Sequence, residues 1–245
     1  MPESDDYARA YFDAQFDSNR EYWRRFGGKP ELAGKRVLEV GCGHGAMAID
    51  LASHGAEVLA VDLDESRIDF AQRNLSSRFP ELVGRVAFAA VDATRLPENK
   101  PFDLIVSKDT FEHVDDVSRL LAGLGRLLRS DGIMYIGFSP LYYSPFGDHG
   151  RTGLRLPWAH AVLPHRLVIA AASRRNSGKV TSLMDIGLNA NTPAQFQEAF
   201  DASGLKIIEI KYNQGDKPML RLFEKVRVRH RIVEKYATVS IYAEQ

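Results

Sequence analysis

The stretch Val37-Leu38-Glu39-Val40-Gly41-Cys42-Gly43-His44-Gly45 decides the fold, because an apolar run ends there in three glycines at alternate positions. A short apolar run followed by such a turn and a helix-length segment predicts a strand, a tight loop and a helix. The glycines allow positive backbone angles and the close approach of a ligand to bare backbone. We therefore expect a nucleotide-type ligand at the end of the first strand.

The same rhythm continues along the chain, where short runs rich in Val, Leu and Ile alternate with amphipathic segments. The predicted strands are 36–40, 57–61, 86–91, 103–107, 133–138, 206–212 and 238–243. Predicted helices start near Gly45, Glu65 and Asp115. Strands that alternate with helices predict right-handed crossovers and a mostly parallel sheet with helices on both faces. The fold class is a Rossmann-like, doubly wound α/β domain.

Two segments depart from this rhythm. Residues 1–30 carry aromatic side chains at helical spacing, which predicts an N-terminal cap of one or two amphipathic helices. Residues 139–191 are too long for an ordinary connection and predict a lid or substrate insert within a main domain at 31–245. The insert contains no acidic residue between positions 149 and 184.

Composition excludes several classes of protein. The chain has 245 residues and equal numbers of basic and acidic side chains, 32 of each, so general charge attraction to nucleic acid is not expected. The single cysteine, Cys42, excludes an intrachain disulfide and indicates a reducing compartment, so we expect a cytoplasmic protein. The longest apolar run, 167–172, is far shorter than the roughly 20 residues that cross a bilayer.

Three carboxylates follow or end the first three predicted strands. Glu39 precedes the first glycine by two residues, and a carboxylate there suits an ammonium group. Asp62 ends the second strand, where it could accept both hydroxyls of a ribose, and Asp92 ends the third, where it could accept from an adenine amine. We interpret the trio as a site for a cationic or zwitterionic nucleoside.

An alternative remains open at this point. Gly41, Gly43 and Ala46 also satisfy the dinucleotide fingerprint, and Asp62 follows at about the distance that this motif requires. A nicotinamide-dependent oxidoreductase is therefore a rival interpretation of the same loop.

Together with Asp92-Ala93 and the strand at 102–107, these motifs resemble the class I S-adenosylmethionine-dependent methyltransferases over roughly residues 34–138. The resemblance implies a seven-stranded sheet whose last strand is antiparallel, and S-adenosylmethionine as cofactor. The cofactor-binding residues that it implies are Glu39, Gly41, Cys42, Gly43, Gly45, Asp62, Leu63, Asp92, Ala93 and Lys108.

A candidate metal site follows the fourth strand. If this segment is helical, Asp109, Glu112 and His113 share one face. Similar clusters, with Glu in place of Asp109, bind a divalent metal in ubiquinone-type and small-RNA 2'-O-methyltransferases. Mg²⁺ or another divalent metal could lower the pKa of a bound hydroxyl. The alternative is a metal-free pair that supports the loop.

The insert supplies candidates for acceptor handling. His149 lies beside Asp148 and between two glycines. It has the residue type of a general base, and it could equally complete the metal site. Aromatic side chains nearby predict a wall for a sugar ring or a planar alcohol, with plain lid packing as the alternative. They are Tyr142, Tyr143, Phe146 and Trp158.

These features predict an S-adenosylmethionine-dependent O-methyltransferase for a hydroxyl on a sugar, a glycolipid precursor or another small metabolite. The basic insert suggests an anionic acceptor. Methylation of nitrogen or carbon stays open, as does a membrane-surface module that uses residues 154–172 or 221–235. We expect a monomer or homodimer, and no nucleic-acid partner.

Overall fold

The computed structural model describes residues 4–97, 99–176, 178–212 and 239–244. Its strands are β1 (Arg36–Val40), β2 (Glu57–Asp62), β3 (Val86–Ala90), β4 (Phe102–Lys108), β5 (Leu128–Phe138), β6 (Lys206–Lys211) and β7 (Val239–Glu244). They form one sheet in the order β3-β2-β1-β4-β5-β7-β6. The first five strands are parallel, and β7 runs antiparallel to both β5 and β6. The predicted α/β Rossmann-like fold is confirmed.

Helices cover both faces of this sheet. They are α1 (Asp5–Arg25), α2 (Ala46–Ser53), α3 (Glu65–Arg78), α4 (Val117–Leu127), α5 (Ala159–Val162), α6 (His165–Arg175) and α7 (Pro193–Asp201). Successive strand residues point to opposite faces, so Val37 packs in a core with α1, α2 and α3, whereas Leu38 packs in a second core with α4 and α7. The near-continuous apolar strands of the sequence reflect this burial on two sides.

The N-terminal segment forms the single helix α1. Ser4 caps it by accepting a hydrogen bond from the Tyr7 backbone N–H. The helix is anchored by Tyr22, which is fully buried and whose hydroxyl lies 3.2 Å from the Ser107 carbonyl oxygen and 2.9 Å from that of Tyr135. These bonds hold the C-terminal half of α1 against β4 and β5, the strands that contain Ser107 and Tyr135.

The insert at 139–191 has a small hydrophobic core of its own beside the sheet. Its buried members are Tyr142, Ala172, Val180, Ile186 and Leu188. The predicted basic stretch at 221–235 lies outside the described residues. Among the described helices, none is both long and apolar enough to cross a bilayer.

Replacing Tyr22 by Phe should lower the free energy of unfolding by about 1–2 kcal/mol, because two buried carbonyl oxygens lose the hydroxyl they share. Urea denaturation followed by circular dichroism measures this change. Tyr7→Phe is the matched control, since Tyr7 is 55% exposed and should leave the free energy of unfolding unchanged. Equal stability of both variants would show that the Tyr22 hydroxyl does not anchor α1.

Candidate functional site

A cavity of about 540 Å³ opens at the carboxyl ends of the parallel strands. It lies where the strand order reverses between β1 and β4, which is where ligands bind in open α/β sheets. Most of the residues predicted to bind a cofactor line it. They are Glu39, Gly41, Cys42, Gly43, Asp62, Leu63, Asp92, Ala93 and Lys108.

The glycine loop enters this cavity in a strained conformation that its sequence permits. The φ angles of Gly41, Gly43 and Gly45 are +74°, +50° and +84°. The Gly41 N–H donates to the Val61 carbonyl oxygen over 2.8 Å, and the Gly43 N–H donates to Asp62 Oδ2 over 2.8 Å. The loop is thus tied to the end of β2, and its backbone forms one wall of the cavity.

Gly45 is outside the cavity lining, so the structure gives it a different task from the predicted ligand contact. A Cβ atom at this position would lie 2.7 Å from Phe88 Cζ and 3.0 Å from Ala71 Cβ. Gly45 therefore lets the start of α2 pack closely on α3 and β3. This packing sets the direction in which the loop leaves the sheet.

Glu39 is the most unusual acid in the cavity. Its side chain is buried, and Oε2 has no hydrogen-bond partner among the described residues. Burial raises the pKa of Glu39 to about 8, an effect that Lys108 opposes and Asp62 reinforces. A buried carboxyl with a free oxygen is suited to receive a cationic group from a ligand.

Lys108 lines the cavity while its ammonium is bonded within the protein. Its ammonium donates to three acceptors on α1, namely Gln15 O at 3.0 Å, Ser18 Oγ at 2.6 Å and Asn19 Oδ1 at 2.8 Å. All three N–H groups of the ammonium are therefore used. Burial lowers the pKa of Lys108 to about 8, against the effect of the nearby Asp109 and Glu39 carboxyls.

The contact with Lys108 brings α1 over the cavity. This helix therefore forms a part of the cavity wall that was not predicted from the sequence. Tyr11, Gln15 and Asn19 line it, and the Tyr11 ring packs 5.2 Å from the ring of His44 in the glycine loop. Helical spacing of aromatics predicted the helix. It carried no signal for which face of the helix would meet the cavity.

Both aspartates that follow β2 and β3 brace local turns as well as lining the cavity. Asp62 accepts hydrogen bonds from the backbone N–H groups of Gly43 and Asp64. Asp92 Oδ1 accepts from the backbone N–H and the hydroxyl of Thr94, and Asp92 Oδ2 lies 3.4 Å from Arg119. These carboxylates are therefore held in fixed positions before any ligand arrives.

The proposed metal trio of Asp109, Glu112 and His113 requires correction. The segment is not an α-helix: Phe111–His113 form a single 3₁₀ turn, and Asp109 precedes it with φ +52°. The predicted helical face therefore does not form. Instead, ligand atoms of Glu112, His113 and His149 lie within 4.8 Å of one another.

Hydrogen bonds fix the two imidazoles of this cluster. His113 Nδ1 lies 2.6 Å from the Gly187 carbonyl oxygen, and His149 Nε2 lies 3.0 Å from that of Pro140. Because carbonyl oxygens only accept, these nitrogens carry the protons, which leaves His113 Nε2 and His149 Nδ1 as acceptors. This orientation by carbonyl groups is typical of histidines that bind metals.

The cluster of Glu112, His113 and His149 contains a buried carboxyl, and the Arg151 guanidinium lies beside it. Glu112 is buried, neither of its oxygens has a hydrogen-bond partner among the described residues, and burial together with Asp109 raises its pKa well above the ordinary value. Arg151 places Nη2 3.4 Å from His113 Nε2 and donates to the Gly187 carbonyl oxygen. Burial, Arg151 and His149 lower the pKa of His113 to about 4.

The predicted aromatic wall is not found at this cavity, because none of its four members lines the cavity. Tyr142 is buried in the insert core and donates to the His160 carbonyl oxygen over 2.9 Å. Trp158 donates to the Tyr143 carbonyl oxygen over 3.2 Å, and Phe146 is 52% exposed. The alternative of packing within the insert explains Tyr142 and Trp158 better.

Replacing Lys108 by Met should loosen α1, because three acceptors lose a charged donor at a cost of about 1–3 kcal/mol. Amide hydrogen exchange measured by mass spectrometry should become faster in residues 5–20. The exposed Lys35→Met variant is the control and should exchange as the natural chain does. Unchanged exchange in Lys108→Met would contradict the anchoring role.

Comparison with known proteins places residues 38–136 in the family described as "Methyltransferase domain". The chain is 32% identical over 139 residues to magnesium-protoporphyrin O-methyltransferase of Rhodobacter capsulatus, covering 56% of this chain and 60% of the relative. It is 34% identical over 116 residues to ubiquinone biosynthesis O-methyltransferase of Mesorhizobium japonicum, covering 46% of this chain and 45% of the relative. The match thus spans less than two thirds of each relative.

A solved structure extends the likeness in fold to almost the whole chain. The S-adenosylmethionine-dependent methyltransferase of Mesorhizobium loti superposes with a TM-score of 0.61 at 20% identity, covering 94% of this chain and 100% of that one. At this identity, the comparison shows a shared fold. The family match favours methyl transfer over the nicotinamide chemistry that the glycine loop left open.

Proposed function

We propose that the chain is a class I S-adenosylmethionine-dependent methyltransferase, that its cavity binds S-adenosylmethionine and that it methylates a hydroxyl of a small acceptor. The observation that carries this proposal is the buried Glu39 carboxyl with a free oxygen beside the glycine loop. In the domain division that we propose, 1–30 is a cap and 31–245 is the catalytic domain, with its insert at about 139–191.

The cofactor would lie along the carboxylates of the cavity. We assign the ammonium group of the methionine moiety to Glu39 and the ribose hydroxyls to Asp62. Asp92 and Ala93 would contact the adenine, while Cys42 and Leu63 form apolar parts of the wall. Because Asp62 and Asp92 are already held by backbone or side-chain donors, little ordering would be needed on binding.

When bound, S-adenosylmethionine would supply the methyl group: its carbon–sulfur bond would break as the acceptor oxygen bonds to the methyl carbon, and the electron pair would stay on the sulfur of S-adenosylhomocysteine. The chain's contribution is alignment, exclusion of water and removal of the hydroxyl proton. We propose His149 Nδ1 as the acceptor of that proton: His149 is not among the residues that line the cavity, but it lies beside His113, which does. Burial lowers the pKa of His149, so the imidazole is neutral and able to accept at neutral pH.

A divalent metal is a second way to activate the hydroxyl. The donor set fits one: Glu112 offers two oxygens without partners, and His113 and His149 each present an unprotonated nitrogen. When bound there, a metal would lower the pKa of the acceptor hydroxyl. Arg151 supplies positive charge to the same cluster without a metal.

For the acceptor, we propose the hydroxyl of a sugar or glycolipid precursor first, and that of a phenolic or polyketide metabolite second. The names of the curated relatives support oxygen as the atom that is methylated. The positive charge of Arg151 at the edge of the site supports an acceptor with an anionic group. We propose a cytoplasmic enzyme that is a monomer or homodimer.

Titration calorimetry with S-adenosylmethionine tests the cofactor assignment. A ligand ammonium favours the ionised form of Glu39, so binding should release a proton and become tighter as the pH rises toward about 8, the pKa of the unliganded carboxyl. Heats measured in two buffers of different ionisation enthalpy report that proton. Glu39→Gln should bind more weakly and lose the pH dependence.

The matched control for this titration is Glu57→Gln, since Glu57 is exposed at the start of β2. It should bind as the natural chain does. Absence of heat with both S-adenosylmethionine and S-adenosylhomocysteine would overturn the proposed cofactor. Binding without proton release would overturn only the role of Glu39.

His149→Ala should reduce turnover about 10² to 10⁴-fold if His149 is the base. Release of S-adenosylhomocysteine can be followed over a panel of glycoside and phenolic acceptors, with and without exhaustive chelation. Activity that survives chelation but falls in His149→Ala supports the base. Activity abolished by chelation, together with loss of bound metal in Glu112→Gln, supports the metal, and a normal rate in His149→Ala contradicts both.

A further inference from the structure

The outer end of the insert carries an unusual concentration of exposed apolar side chains. We call residues 155–167 the insert tip. Leu156 is 73% exposed, Val162 64%, Leu167 49% and Leu163 38%. Large apolar groups scattered singly over a surface need no explanation, but a cluster within one short segment marks a surface that contacts something apolar.

Backbone hydrogen bonds hold the tip in a defined shape. The Val162 N–H donates to the Trp158 carbonyl oxygen and the Leu163 N–H donates to that of Ala159, both over 3.0 Å. Helix α6 then begins at His165 and turns Ala172 into the insert core. Leu163 lies in the connection between α5 and α6, Leu167 lies in the first turn of α6, and both side chains are exposed.

The charge of the same surface has one sign. No acidic residue occurs from position 149 to 184. Arg155 and Arg166 are exposed within the tip, and Arg174, Arg175 and Lys179 are exposed just beyond it. In a chain whose formal net charge is zero, this local excess of positive charge is not a consequence of composition.

We propose that the insert tip docks on the surface of an anionic lipid bilayer. Apolar side chains flanked by arginines match the boundary between acyl chains and negatively charged headgroups. At this boundary, the free energy of burying apolar surface adds to the attraction between arginines and anionic headgroups. Along the tip, the exposed Arg155 and Arg166 alternate with exposed leucine and valine side chains, so charged and apolar groups are both available to a bilayer. This proposal does not depend on methyl transfer.

The docked orientation would bring the bilayer close to the acceptor side of the cavity. Met184, at the end of the same acid-free segment, lines the cavity, and Arg151 reaches from the insert to His113. The insert therefore joins the lipid-facing tip to the groups proposed to handle the acceptor. An acceptor with a lipid tail could reach the site from the bilayer.

Co-sedimentation of the full chain with vesicles tests the proposal. Vesicles of phosphatidylcholine mixed with phosphatidylglycerol should bind the chain, and vesicles of phosphatidylcholine alone should bind it at least about tenfold more weakly. Raising the salt concentration should weaken binding to the anionic vesicles. The triple variant Leu156→Ser, Val162→Ser, Leu163→Ser and the double variant Arg155→Gln, Arg166→Gln should each lose about tenfold or more.

Matched controls are exposed residues elsewhere on the surface, namely Val83→Ser and the double variant Arg20→Gln, Lys35→Gln. They should bind as the natural chain does, and circular dichroism and S-adenosylmethionine binding show that every variant is folded. Equal sedimentation with both kinds of vesicle, or none with either, would overturn the proposal. So would light scattering that shows a dimer in the natural chain and a monomer in the apolar tip variant, because a second copy would then cover the tip.

Discussion

The tie between the glycine loop and the end of β2 is the constraint on which the rest of the site depends. Gly41 and Gly43 adopt positive φ, and their N–H groups donate to Val61 and to Asp62. A Cβ atom at Gly41 would collide with the Thr110 side chain, so the loop also fixes the distance between β1 and the segment after β4. The cavity exists because the backbone itself, rather than side chains, forms its wall on this side. The side chains that can recognise a ligand in this cavity include the carboxylates of Glu39, Asp62 and Asp92.

The cavity is covered by α1 because of its contact with Lys108, which could not be predicted from the sequence. Lys108 ends β4 and uses its whole ammonium on α1, while Glu39 keeps a free oxygen below it. The two groups have opposed shifts because burial penalises both charges: the pKa of the acid rises to about 8 and that of the lysine falls to about 8. The Lys108 ammonium thus bonds to α1, which covers the site, and the Glu39 carboxyl is available to a ligand. A cationic cofactor fits this division of roles.

The sequence predicted the sheet well and the acceptor side poorly, for a physical reason. Apolar strands buried on both faces and a glycine turn with one workable geometry are local signals, and β1 was predicted with the bounds that the structure has. Asp109, Glu112 and His113 were grouped on the assumption of a helix, and a residue at φ +52° before a 3₁₀ turn breaks that periodicity. His149 was expected to act as a base or to complete the metal site, and the fold of the insert places it beside Glu112 and His113. The assignment of Tyr142 to the acceptor failed because the insert has its own core to fill.

That core gives the insert two surfaces with different chemistry. On the inside, Arg151 donates to the carbonyl oxygens of Ile186 and Gly187 and lies beside His113, so the insert contributes positive charge next to the cluster of Glu112, His113 and His149. On the outside, Leu156 and Val162 remain exposed because the small core inside is already filled by Tyr142, Ala172 and their neighbours. A connection that served only to cover the site would not need a group of exposed apolar side chains, which are typical of an interaction surface. Their retention beside arginines is accounted for if the outer surface of the insert binds a bilayer while its inner surface holds the acceptor.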